Sequence, residues 1–125
     1  MRAFVLIAAA ATIASCTRPV TPPGNDFARV IAGRTAGQPQ TCVSTYPNTN
    51  IRAVDTQTLA YGNGRTIFIN RLAAACPGLD PVGTLFVEAQ GSQYCRGDRV
   101  RGRELGAIIP GAPCVLNDWV PYRTP

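Results

Sequence analysis

Thr58-Leu59-Ala60-Tyr61-Gly62-Asn63-Gly64-Arg65-Thr66-Ile67-Phe68-Ile69 is the stretch whose reading decides the fold. Two short runs of β-favouring residues flank Asn63-Gly64, a dipeptide that tolerates the positive φ angles of a type I′ hairpin turn. A two-residue loop predicts Tyr61 opposite Thr66, Ala60 opposite Ile67 and Leu59 opposite Phe68. Opposed residues share a sheet face, so Leu59 and Phe68 form a core pair while Ile67 and Ile69 lie on the other side. Apolar residues on both faces mark an interior strand, and something must cover the second face.

Working outward, Asn25 or Asp26 is placed to cap a short helix in which Phe27, Val30 and Ile31 recur at helical spacing before Gly33. That helix is the expected cover. Ile51 to Asp55 reads as a strand, as does Thr84 to Ala89, which turns at Gly91-Ser92 into Gln93-Tyr94-Cys95. Asp98 to Arg103 continues the ladder, and Ala107 to Pro113 is a loop. Val115 to Tyr122 forms a last strand that Pro121 restricts to an edge. These short strands predict a mainly β fold: a small antiparallel curved sheet or partly open barrel with one short N-terminal helix.

The 125 residues carry a net charge of +5, with no His. Every basic residue is Arg, so lysine chemistry such as a Schiff base is excluded, and the commonest general base is missing. Ser44 and Ser92 have neither a Gly-x-Ser-x-Gly setting nor a His partner. Asp55 paired with Asp98 or Glu88 is the remaining acid–base possibility, but Asp55 and Asp98 also suit turn positions where a carboxylate accepts backbone N–H groups. No catalytic set, metal or cofactor is expected from these residues.

The first residues read as an export signal: Arg2, an apolar run from Ala3 to Thr12, then Ile13-Ala14-Ser15 before Cys16. The run is too short to span a bilayer, which takes about twenty apolar residues. Ile13-Ala14-Ser15-Cys16 resembles the lipobox of bacterial lipoproteins, in which the Cys is acylated and becomes the first mature residue. Removing Cys16 from the five cysteines leaves Cys42, Cys76, Cys95 and Cys114, an even set in an exported chain, which predicts two disulfides. Three connectivities are open, with a slight preference for sequential pairing, Cys42 with Cys76 and Cys95 with Cys114. The chain then divides into a signal peptide (1–15), a lipidated Cys with a Pro-rich tether (16–24), a short helix and linker (25–39) and a disulfide-stapled β domain (40–125).

Arg99, Arg101 and Arg103 alternate, so on a strand they leave from one face about 6.5–7 Å apart. They are the candidate anion-binding residues, suited to the phosphates of anionic lipid or lipopolysaccharide, and equally to a solvated face or protected edge. Nucleic acid is a poor partner for such a chain, with Tyr94 the only aromatic nearby. Arg96-Gly97-Asp98 spells an adhesion tripeptide but suits a turn or bulge better. Trp119 reads as a core or edge plug rather than a binding anchor.

Cys42, the Ile51 to Asp55 strand, Leu59-Ala60-Tyr61, Asn70-Arg71-Leu72, Cys76-Pro77-Gly78-Leu79, Cys95-Arg96-Gly97-Asp98 and Cys114, in that order, resemble a family of small bacterial lipoproteins known as domain of unknown function 6491. The resemblance covers residues 40 to 120 and implies a lipid anchor, a disulfide pair and a β-rich domain, with no activity attached. Arg99 to Arg103 is more basic than the family pattern. By resemblance to enteric lipoproteins, Thr17 in place of an Asp after the acylated Cys implies delivery to the outer membrane, facing the periplasm. The expectation is a lipid-anchored envelope protein acting as a non-catalytic structural or binding module. The alternatives are a small carboxylate hydrolase and an inhibitor or adaptor that binds a partner through an exposed sheet edge near Val115 to Tyr122.

Overall fold

The computed structural model describes residues 25–47 and 50–125. It contains one helix, α1 (Asn25–Ile31), and ten strands: β1 (Thr35–Ala36), β2 (Cys42–Ser44), β3 (Ile51–Ala53), β4 (Thr58–Tyr61), β5 (Thr66–Arg71), β6 (Thr84–Glu88), β7 (Gln93–Cys95), β8 (Arg99–Arg103), β9 (Cys114–Val115) and β10 (Trp119–Arg123). All pairings are antiparallel. They make a five-stranded sheet in the order β1-β10-β5-β4-β3, a three-stranded sheet β6-β8-β9 and a two-stranded ribbon β2-β7, with no closed barrel.

The β4–β5 hairpin forms, but its register is two residues from the predicted one: Tyr61 pairs with Phe68, Ala60 with Ile69 and Leu59 with Asn70. The positive φ angles fall on Gly62 (85°) and Gly64 (74°) rather than on Asn63, so the loop is longer than a two-residue turn. A slip of two preserves the faces, because side chains alternate with period two. Leu59, Tyr61 and Phe68 therefore join the main core with Val43, Leu79, Val100, Leu116 and Trp119, between the large sheet and the two smaller ones. Ala60, Ile67 and Ile69 occupy the opposite face, packed by Phe27, Val30 and Ile31 of α1 as the sequence predicts. Each fully buried Leu or Ile adds about 1.5–3 kcal/mol to this arrangement.

Three local expectations are corrected. Residues 84–89 and 93–95 do not pair with each other: β6 takes β8 as its partner and β7 takes β2. The C-terminal segment forms two strands, and β10 lies inside the large sheet between β1 and β5 rather than at an edge. Pro121 is accommodated because the N–H and C=O of one strand residue point to the same side. Its carbonyl accepts the Gly37 N–H at 2.7 Å, so the missing donor faces short β1 and the β5 ladder is intact. The disulfides are Cys42–Cys95 and Cys76–Cys114, not the sequential pairs. Cys42 and Cys95 are register partners across β2–β7, so the connectivity follows from a strand pairing distant in sequence.

Candidate functional site

The three-stranded sheet presents two unlike faces. Leu85, Val87, Val100 and Cys114 turn toward the core, while Arg99, Arg101 and Arg103 point outward, as their alternation predicts. The register sets Glu88 opposite Arg99, Phe86 opposite Arg101 and Thr84 opposite Arg103. Arg101 Nε lies 3.5 Å from Glu88 Oε1, and the Arg103 guanidinium sits over the Phe86 ring, 5.6 Å from its centroid. Arg99 and Arg103 have no carboxylate partner among the described residues. Three guanidiniums stand against two carboxylates, Glu88 on Arg101 and Asp98 bordering Arg99, which leaves the face weakly positive, and an Arg head without a carboxylate partner can bind a phosphate in a bidentate manner.

The end of this sheet carries a feature that the sequence reading left as plain loop. Because Thr84 pairs with Arg103, the turn before β6 and the loop after β8 emerge together. They display Val82 (67% exposed), Leu105 (79%), Ile108 (90%) and Ile109 (79%). The loop is held firmly at its roots: the Gly111 N–H donates to the Gly102 carbonyl at 2.7 Å, and Cys114 is tied to Cys76.

The remaining candidates are turn and core residues. Asp98 accepts the Cys95 N–H at 2.7 Å and Asp55 accepts the Gln57 N–H at 2.8 Å, the turn roles expected of them. Glu88 and Asp98 line one open depression of about 320 Å³ with Arg99, and Asp55 is not part of it. Arg96 is paired with Asp118 at 3.2 Å. Trp119 is fully buried, and its indole N–H has no hydrogen-bond partner. The β10 part of the segment expected to offer an open edge is covered: Gly37 bonds to Pro121, and Gln40 and Trp119 exchange backbone bonds at 2.8 Å; β9 is an outer strand of the three-stranded sheet, with Val115 57% exposed.

A second cavity, of about 310 Å³, lies where α1 leaves the large sheet uncovered, with a floor of Ile69, Val120 and Tyr122 and a rim that includes Arg71. Arg71 stacks over Phe27, 4.9 Å from the ring centroid. Burial, and then the neighbouring Tyr94, push the Tyr61 phenol above its ordinary ionisation value. Among the described residues no three His, Cys, Asp or Glu side chains are grouped as metal ligands, and no helix is long and apolar enough to cross a membrane. Cys16 and the stretch expected to act as an export signal lie outside the described residues. Set against known proteins, the chain matches no family model, no curated protein and no solved structure.

Proposed function

We propose that the protein is a lipid-anchored component of a bacterial cell envelope, held by acylated Cys16. Its β domain is a non-catalytic binding module that takes phosphate groups of anionic lipid or lipopolysaccharide on Arg99, Arg101 and Arg103. The observation that carries the reading is the cysteine pairing. Cys42 with Cys95 and Cys76 with Cys114 use four of the five cysteines inside the domain, which leaves Cys16 as the one thiol for acylation, beside the lipobox-like Ile13-Ala14-Ser15. The guanidiniums of exposed Arg99 and half-buried Arg101 and Arg103 supply the binding chemistry.

A hydrolase reading would draw on Glu88 and Asp98, which share a depression. Asp98 is already committed to the Cys95 N–H and Glu88 to Arg101, so the binding module is favoured.

Two measurements test it. The N-terminal peptide of the protein recovered from cells is expected to carry acyl chains on Cys16, and an unmodified N-terminus refutes the anchor. Replacing Arg99, Arg101 and Arg103 with Gln is expected to abolish salt-sensitive binding of lipopolysaccharide; unchanged binding removes the arginine face from the mechanism.

A further inference from the structure

We infer that the cavity on the α1 side of the large sheet is a binding site for a small aromatic carboxylate, whose ring lies on Val120 and Tyr122 and whose anionic group is taken by Arg71. The site shares no residue with the arginine face of β8 and does not depend on a lipid anchor. Seven residues of α1 are too few to roof the whole sheet. Phe27, Val30 and Ile31 pack against Ala60, Ile67 and Ile69, together with Tyr122, whereas Val120 joins neither core cluster. Val120 is the register partner of Ile69, so its side chain leaves on the very face that α1 covers elsewhere. The space that results is about 310 Å³, with half-buried Val120 and Tyr122 in its floor. That is the small end of the range of about 300–1,000 Å³ occupied by ligand pockets.

The walls are already ordered. The Asn117 side chain donates to the Arg71 carbonyl at 2.8 Å, Arg96 is tied to Asp118 at 3.2 Å, and Gln40, next to Pro39, exchanges backbone bonds with Trp119 at 2.8 Å. A site so fixed loses little conformational entropy when a ligand enters. Its charges narrow the choice of ligand. Arg71, Arg96 and Asp118 are the charged side chains that line the cavity. Arg96 and Asp118 neutralise one another, and Arg71 makes no ion pair among the described residues. Asp26, the carboxylate adjoining Phe27, is itself occupied by Arg29 at 3.0 Å. The Phe27 ring holds the Arg71 guanidinium by its face, 4.9 Å from the centroid, which leaves the N–H groups along its edge for an anion. That planar fork matches a carboxylate in a bidentate manner. An aromatic body suits the rest of the floor, where the Tyr122 phenol offers a ring partner beside the apolar Val120 side chain.

The test titrates the protein as isolated from cells, in non-ionic detergent, with 2-naphthoate and separately with its neutral counterpart 2-naphthamide, while NMR follows the backbone amides. Saturable shifts centred on Ile69, Arg71 and Tyr122 are expected, with naphthoate held about tenfold more tightly than naphthamide, the effect of a charge-assisted hydrogen-bonded pair. Arg71→Gln changes an exposed side chain and is expected to erase that preference while leaving naphthamide affinity as it was. Val120→Trp fills the floor and is expected to abolish binding of both compounds with the remaining amide signals in place; should that variant not fold, the Arg71→Gln comparison decides alone. Absence of saturable shifts at these residues overturns the inference, as does equal affinity for the two compounds or a preference that survives Arg71→Gln. Amide shifts in the ligand-free protein that depend on its concentration and centre on the same residues also overturn it, because a second copy then fills the cavity. Nuclear Overhauser contacts from residues 17–24 to Val120 do so too, since the chain's own N-terminal segment is then the occupant.

Discussion

The side-chain amide of Asn70 is bonded at both ends to the backbone of Asn117: Nδ2 donates to the Asn117 carbonyl at 2.7 Å and Oδ1 accepts the Asn117 N–H at 2.9 Å. Asn117 replies with its own Nδ2, which donates to the Arg71 carbonyl at 2.8 Å. A fully buried polar side chain thus continues the β5 ladder into the turn between β9 and β10. Asn70→Ala orphans a buried donor and a buried acceptor together, and the expected loss is about 2–3 kcal/mol in denaturant unfolding. Asn70→Asp keeps the acceptor but loses the donor and buries a charge. Its deficit is expected to shrink in mildly acidic buffer, where the protonated carboxyl can donate again.

Gly102 lies against the turn that carries Cys76. A Cβ at position 102 would collide with the Gly78 carbonyl and come within 2.6 Å of the Leu79 nitrogen, both backbone atoms that cannot swing aside. Gly102→Ala is expected to cost about 3 kcal/mol, read as a lowered denaturation midpoint. A drop of a few tenths would show that the two segments separate easily.

The two disulfides close long loops, with sequence separations of 53 and 38 residues. On the chain-entropy account each contributes about 4 kcal/mol by restricting the unfolded chain. Replacing either pair by Ser is expected to lower unfolding free energy by that order. Replacing both is expected to leave the domain unfolded in buffer, since a small domain holds only about 5–15 kcal/mol in all. Circular dichroism of the three variants checks this. Peptide mapping is expected to recover Cys42 joined to Cys95, and a Cys42–Cys76 peptide would contradict the fold.

Tyr61 donates its hydroxyl to the Ser44 carbonyl at 2.8 Å and meets the Tyr94 ring edge-on, 5.6 Å between centroids. Its raised ionisation point comes first from burial and then from Tyr94. A phenol harder to ionise in the folded state than in the unfolded one stabilises the fold fully below the unfolded value of about 10. That contribution is lost as pH rises through the folded value. Stability is therefore expected to fall in strongly alkaline buffer, and Tyr61→Phe is expected to flatten that fall while costing about 1 kcal/mol at neutral pH.

What could be read from the chain follows the range of the interactions. The faces of Leu59, Phe68, Ile67 and Ile69 were legible because a strand alternates with period two whatever its exact register. The register itself was not, because Gly62 competes with Asn63 for the positive φ position. The turn roles of Asp55 and Asp98 were legible, since both act on an N–H within three residues. The pairing of Cys42 with Cys95 depends on β2 meeting β7 across half the sequence, and nothing local encodes it. Asn70 was unremarkable in sequence, because its partner Asn117 becomes a neighbour only when β10 docks. The arginine alternation was readable, while the exposure of Ile108 and Ile109 was not, since an aliphatic residue in a loop is as often tucked in as held out.

The placement of β10 between β1 and β5 has a consequence for assembly. Residues 119–123 bridge two pieces that otherwise share no ladder, so a polypeptide stopped short of Trp119 retains the β3-β4-β5 meander but strands β1. Such a fragment also loses the indole at the centre of the main core. Completion of the large sheet therefore waits on the last few residues of the sequence, whose pairings with β5 and β1 are distant in the chain and slow to form.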